Sequence, residues 1–166
     1  MLIENMTNII KFDKVRFNEL LKKKALCQLV GNSKEYSELL SYGIMLENQI
    51  YYNRKAEYIY LVEEYLRENG GEAGARMFQW DFCTLFKEDN QTARILKKEI
   101  LEEGSGKLDN FEIDSKSKEF SVLINDLFGS CEFLTFNPED SSGITVEEFK
   151  SEVKKTFLEM KKYSNV

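Results

Sequence analysis

At 166 residues the chain is long enough for one domain with a sizeable buried core and too short for a multi-domain enzyme. Hydrophobic residues make up 42% and charged residues 31%, while a single Pro and nine Gly argue against a turn-rich β-sandwich or a low-complexity linker. Net charge is −6, and no stretch reaches the roughly 20 apolar residues that a membrane-spanning helix needs.

In chain order, Ile9, Ile10, Phe12, Val15, Phe17, Leu20 and Leu21 support a first helix that Asp13 can begin and that runs toward Val30. After Gly31 and Asn32, Ser33 can cap a second helix carrying Tyr36, Leu39, Leu40 and Leu46, interrupted by Gly43. From Ala56, the stripe Ile59, Val62, Tyr65 and Leu66 predicts a third helix that stops at Asn69, Gly70 and Gly71. Phe78, Phe82, Leu85 and Phe86 share one face, and Ile95, Leu96 and Ile100 another. Between them Glu88, Asp89 and Asn90 read as an acidic corner joining two helices.

Gly104, Ser105 and Gly106 break the chain before an extended acidic segment that ends at Asp114. Phe120, Leu123, Ile124, Leu127, Phe128 and Cys131 then follow helical spacing without a miss and predict a buried face. Thr145 and Glu148 form a capping box for the last helix, with Ile144 and Phe149 placed as a hydrophobic staple and Phe149, Val153, Phe157 and Met160 inward. The sum is an all-α, antiparallel bundle of five to seven helices with short loops.

Histidine is absent, which removes the side chain most used for acid/base chemistry near neutral pH, for zinc and for nucleophilic triads. Cys27, Cys83 and Cys131 are too widely spaced for a CxxC site and read as reduced packing residues. Ser142 to Phe149 resembles the end of a calcium-binding EF-hand loop, but Gly143 stands immediately before Ile144, one position too late, and the preceding residues include Pro138 and two serines where the loop needs carboxylates at positions 1, 3 and 5. Gly104-Ser105-Gly106-Lys107 lacks the Ser/Thr and the upstream Gly of a phosphate loop and reads as a hinge. Trp80, among Phe78, Phe82 and Phe86, reads as core, and no basic patch accompanies it to bind nucleic acid. No catalytic residue, cofactor or metal is expected.

Charge is divided unevenly. Residues 1–55 carry nine Lys/Arg against six Asp/Glu, and residues 56–166 carry 14 against 23, a split of +3 and −9. An acidic body of this kind repels phosphates and attracts basic protein surfaces. The candidate partner-binding residues are Glu88 and Asp89 at the acidic corner and Asp109, Glu112 and Asp114 in the extended segment.

The run Asn110-Phe111-Glu112-Ile113-Asp114-Ser115-Lys116-Ser117-Lys118-Glu119-Phe120-Ser121 resembles the signature segment of the colicin D-type immunity family. Ile124, Leu127, Phe128, Cys131 and Glu132, the run Gly143 to Phe149 and a Lys-rich last helix continue the likeness, which covers about residues 56–163. The resemblance implies a helical inhibitor that covers the basic active cleft of a tRNA-cleaving toxin nuclease, with acidic side chains in place of RNA phosphates. It also extends to reading frames of algal plastid genomes, so the expected location is the bacterial cytoplasm or the plastid stroma.

The expected organisation is an N-terminal helical extension over 1–55 and an immunity-like bundle over 56–166. The expected partner is a basic protein, a toxin nuclease, with no direct nucleic-acid binding and no membrane insertion. The alternative is an accessory or structural subunit recruited into a larger assembly, anchored through the basic extension.

Overall fold

The longest element is a helix of 33 residues, about 50 Å at 1.5 Å per residue. In the computed structural model, which describes residues 12–68, 70–103 and 111–164, the helices run in the order α1 (Lys14–Ala25), α2 (Lys34–Asn53), α3 (Lys55–Arg67), α4 (Gly71–Glu103), α5 (Ser117–Phe133) and α6 (Val146–Met160). A 3-10 turn over Lys161–Tyr163 follows. Among the described residues there is no strand, only an isolated bridge between Leu134 and Ile144. The fold is all-α.

Helix starts follow the capping side chains. Asp13 Oδ1 accepts from the Arg16 N–H at 3.1 Å, and Ser33 Oγ accepts from the Tyr36 N–H at 3.1 Å. Thr145 Oγ1 accepts from the Glu148 N–H at 3.2 Å while Glu148 Oε1 accepts from the Thr145 N–H at 3.0 Å, which completes the capping box. Each satisfies a backbone donor that the first helical turn leaves unpaired.

Two elements differ from expectation. Helix α1 stops at Ala25 instead of running toward Val30, with Lys22, Lys23 and Lys24 in its last turn and Cys27 at φ 56 redirecting the chain. Helix α4 has no acidic corner: it passes unbroken through Glu88, Asp89 and Asn90. Two of the three polar residues that looked like a break, Asp89 and Asn90, are tertiary anchors. Asp89 meets Tyr58 and Arg54, and Asn90 Nδ2 donates to the Tyr51 hydroxyl at 3.2 Å.

The apolar residues form two clusters. The larger joins α3, the first half of α4, α5 and α6 through Tyr58, Val62, Phe78, Phe82, Phe120, Ile124, Leu127, Phe149 and Val153. The smaller holds Phe17, Leu20 and Leu21 of α1 against Leu39, Tyr42 and Leu46 of α2 and Ile100 of α4. Helices α2 and α4 enter both, since Tyr51 and Tyr52 of α2 belong to the larger cluster. The seam drawn between residues 55 and 56 therefore falls at the α2–α3 junction, with Tyr52 on one side and Tyr58 on the other, both packed on Phe120.

The connection between α5 and α6 is held by its backbone: the Ile144 N–H donates to the Phe133 carbonyl at 2.8 Å and the Thr135 N–H to the Ile144 carbonyl at 2.9 Å. Gly143 is required there, because a Cβ would stand 2.8 Å from both the Phe133 oxygen and the Thr135 methyl.

Candidate functional site

Helix α4 packs against α3 on one flank and α5 on the other. Phe78, Phe82, Leu85, Phe86 and Asp89 recur at three- and four-residue intervals and face inward. Trp80 lies two residues from both Phe78 and Phe82, about 200° around the helix from each, and is 75% exposed. It is not core, contrary to the reading of the aromatic run, because helical spacing puts it on the opposite side from the phenylalanines. Tyr60 of α3 and Met77 of α4 are also exposed, at 60% and 65%.

Trp80 stands between shallow grooves. On the α3 flank, a groove of about 510 Å³ is bordered by Glu57, Tyr60, Trp80, Asp81, Thr84 and Glu88. On the α5 flank, a second of about 510 Å³ is bordered by Arg76, Gln79, Cys83, Lys87, Phe128 and Cys131. Charge differs between them. The Arg54 guanidinium pairs with Glu57 at 3.2 Å, whereas Asp81 and Glu88 have no ion-pair partner among the described residues. The α3 flank is thus net negative, and two flat aromatic faces stand beside it.

The residues expected to bind a partner separate on this frame. Glu88 is exposed and borders the α3-flank groove. Asp89 is 1% exposed and is corrected from a docking residue to a buried anchor: its Oδ2 accepts from the Tyr58 hydroxyl at 2.7 Å and its Oδ1 from Arg54 Nη1 at 3.3 Å. Burial raises the Asp89 pKa, a change that the Tyr58 hydrogen bond and the Arg54 charge oppose. Burial, with the hydrogen bond to Asp89, also pushes the Tyr58 phenol far up.

Glu112 is exposed, but Asp114 is committed locally. Its carboxylate accepts from the Lys116 N–H at 2.8 Å just before α5, and its own N–H donates to Gln49 Oε1 of α2 at 2.7 Å. Asp109 lies outside the described residues. Glu88 and the Glu112–Asp114 segment are held by different parts of the fold, one on α4 beside α3 and the other on α2. Of the cysteines, Cys131 is buried as expected of a packing residue, Cys83 is partly exposed, and Cys27 is exposed and packs nothing away from solvent.

Chemically, the α3 flank suits cations on another macromolecule. Carboxylates take Lys or Arg head groups, and an exposed Trp beside them takes the alkyl stem or the guanidinium plane. Sequence reasoning found Glu88 from its charge but missed Trp80, Tyr60 and Asp81; their signal was position, each being apolar or acidic on the side away from the inward stripe.

No family model matches the chain, and comparison with curated proteins and with solved structures finds no match. Fold and face together define a class, an all-α protein with an exposed aromatic and acidic surface. Among the described residues no helix is long and apolar enough to cross a membrane.

Proposed function

We propose that this is a non-catalytic binding protein that covers a basic protein surface with the face around Trp80, and that its partner is a tRNA-cleaving nuclease of the kind the immunity-type resemblance implies. The observation that carries it is Trp80 itself, 75% exposed on the longest helix and bordered by Asp81 and Glu88, which have no ion-pair partner among the described residues. A large exposed aromatic with charged neighbours is the composition of a binding hot spot, where a ring enters a pocket and the surrounding charges select the partner. The −9 balance of residues 56–166 adds long-range attraction for a basic cleft.

Cleavage of tRNA by a colicin D-type nuclease domain, titrated with the wild-type chain and with Trp80→Ala, tests the proposal. Stoichiometric inhibition by the wild type and an affinity loss of about 2 kcal/mol or more in the variant support it. No inhibition by the folded wild type rejects the nuclease partner and favours the recruited-subunit alternative.

A further inference from the structure

The α5-flank groove contains two thiols that the binding reading does not use. Two contacts align the facing helices: Gln79 Nε2 of α4 donates to the Cys131 carbonyl of α5 at 2.8 Å, and the Phe86 and Phe128 rings stack with centroids 4.2 Å apart. Cys83 lies one turn beyond Gln79 on the same side of α4, between these anchors, and lines the same groove as Cys131. Arg76, Lys87 and Glu132 border it. Cys83 is partly exposed and Cys131 is buried, so a small molecule in the groove has readier access to Cys83 than to Cys131.

We propose that Cys83 and Cys131 form a peroxide-reactive dithiol site, in which Cys83 meets a hydroperoxide in the groove and Cys131 resolves it to an intrachain disulfide between α4 and α5. The Cys83 thiolate attacks the peroxide oxygen: the S–O bond forms, the O–O bond breaks, and the departing oxygen leaves as an alcohol or water after taking a proton. Cys83 is now a sulfenic acid and the peroxide is reduced. The Cys131 sulfur attacks Cys83, forming the S–S bond, while the S–O bond breaks and hydroxide takes the Cys131 proton to leave as water. The sum is two thiols and one hydroperoxide giving one disulfide, one alcohol or water, and one further water.

The local chemistry suits these unequal roles. Hydrogen bonding with Cys131 lowers the Cys83 thiol to about 7, with the Lys87 ammonium acting in the same direction and burial and the Glu132 carboxylate opposing it. The Cys131 thiol is pushed up by that same bond and by burial. The directions are opposite: the partly exposed sulfur is the one favoured to ionise, and the buried one is the thiol that follows it. The inference is independent of what binds the Trp80 face.

The test uses the full chain with Cys27→Ser, which removes the exposed third thiol and with it intermolecular pairing. Treated with hydrogen peroxide at pH 7, this protein should lose both free thiols, form no intermolecular disulfide, and yield a peptide joining residues 83 and 131 that reductant releases. Cys83 should react about tenfold faster than free cysteine at that pH. With Cys131→Ala added, the disulfide should vanish while a sulfenic-acid trap labels Cys83. Retention of both thiols in the Cys27→Ser protein, or oxidation of Cys83 without a cross-link when Cys131 is present, overturns the proposal, and neither observation depends on the stability of the Cys131 variant.

Discussion

The Tyr58 hydroxyl donates to Asp89 Oδ2 at 2.7 Å, and both side chains are buried between α3 and α4. This bond replaces the solvation that a carboxylate loses inside a helical core, with Arg54 supplying a second donor at 3.3 Å. Tyr58→Phe removes the donor without creating a large cavity, so unfolding free energy should fall by about 1–3 kcal/mol in chemical denaturation. A loss near zero shows that Asp89 finds equal partners elsewhere.

The same carboxylate gives stability a pH dependence of definite sign. The native Asp89 pKa is raised from 3.8, chiefly by burial. Between 3.8 and the raised value the folded chain holds a proton that the unfolded chain has released. The Asp89 contribution is therefore fullest below 3.8 and is lost as pH rises through the native value. Relative to Asp89→Asn, the wild type should gain stability as pH falls through that window. A constant difference between the two, measured by urea melts across pH, contradicts the assignment.

Two glycines should respond oppositely to alanine. At Gly143 a Cβ meets the Phe133 oxygen and the Thr135 methyl, both at 2.8 Å, so Gly143→Ala should cost about 1–3 kcal/mol. At Gly129, inside α5, a Cβ meets nothing within 4 Å, and Gly129→Ala should stabilise by about 0.5–1 kcal/mol. Thermal melts of the two single variants separate the cases: no loss at Gly143 disproves the packing described for the α5–α6 connection, and a loss at Gly129 disproves the open space beside it.

Leu127 sits at the centre of the larger cluster, fully buried beside Ile124 and Phe120. Leu127→Ala should cost about 2–5 kcal/mol from lost transfer energy and the cavity left behind. A denaturation loss under about 0.5 kcal/mol places that face of α5 outside the core.

Helix starts and the α5 stripe were legible because their causes are local. Asp13, Ser33 and Thr145 cap helices through neighbours three residues away, and Phe120, Ile124, Leu127 and Cys131 repeat at helical intervals. The continuity of α4 was not legible, since Asp89 and Asn90 depend on Tyr58, Arg54 and Tyr51, 31 to 39 residues away along the chain. Local sequence shows three polar residues and not the distant partners of the last two. Trp80 was misread for a different reason: its aromatic character was weighed above its two-residue offset from Phe78 and Phe82, and the offset decides which side of a helix a residue takes. Asp114 looked like free charge because its donor, the Lys116 N–H, belongs to a turn that side-chain patterns do not display.

The association rate between this chain and a colicin D-type nuclease domain, followed across salt concentration, bears most directly on the binding reading. Asp81→Lys with Glu88→Lys reverses charge beside Trp80, and Glu147→Lys with Glu152→Lys makes the same change on α6, where both residues are exposed. If the Trp80 face docks, the wild-type rate should fall steeply with salt, the α4 pair should slow association and weaken binding by several kcal/mol, and the α6 pair should have a far smaller effect. Equal effects of the two pairs, with both proteins retaining their helical content, would contradict docking through this face.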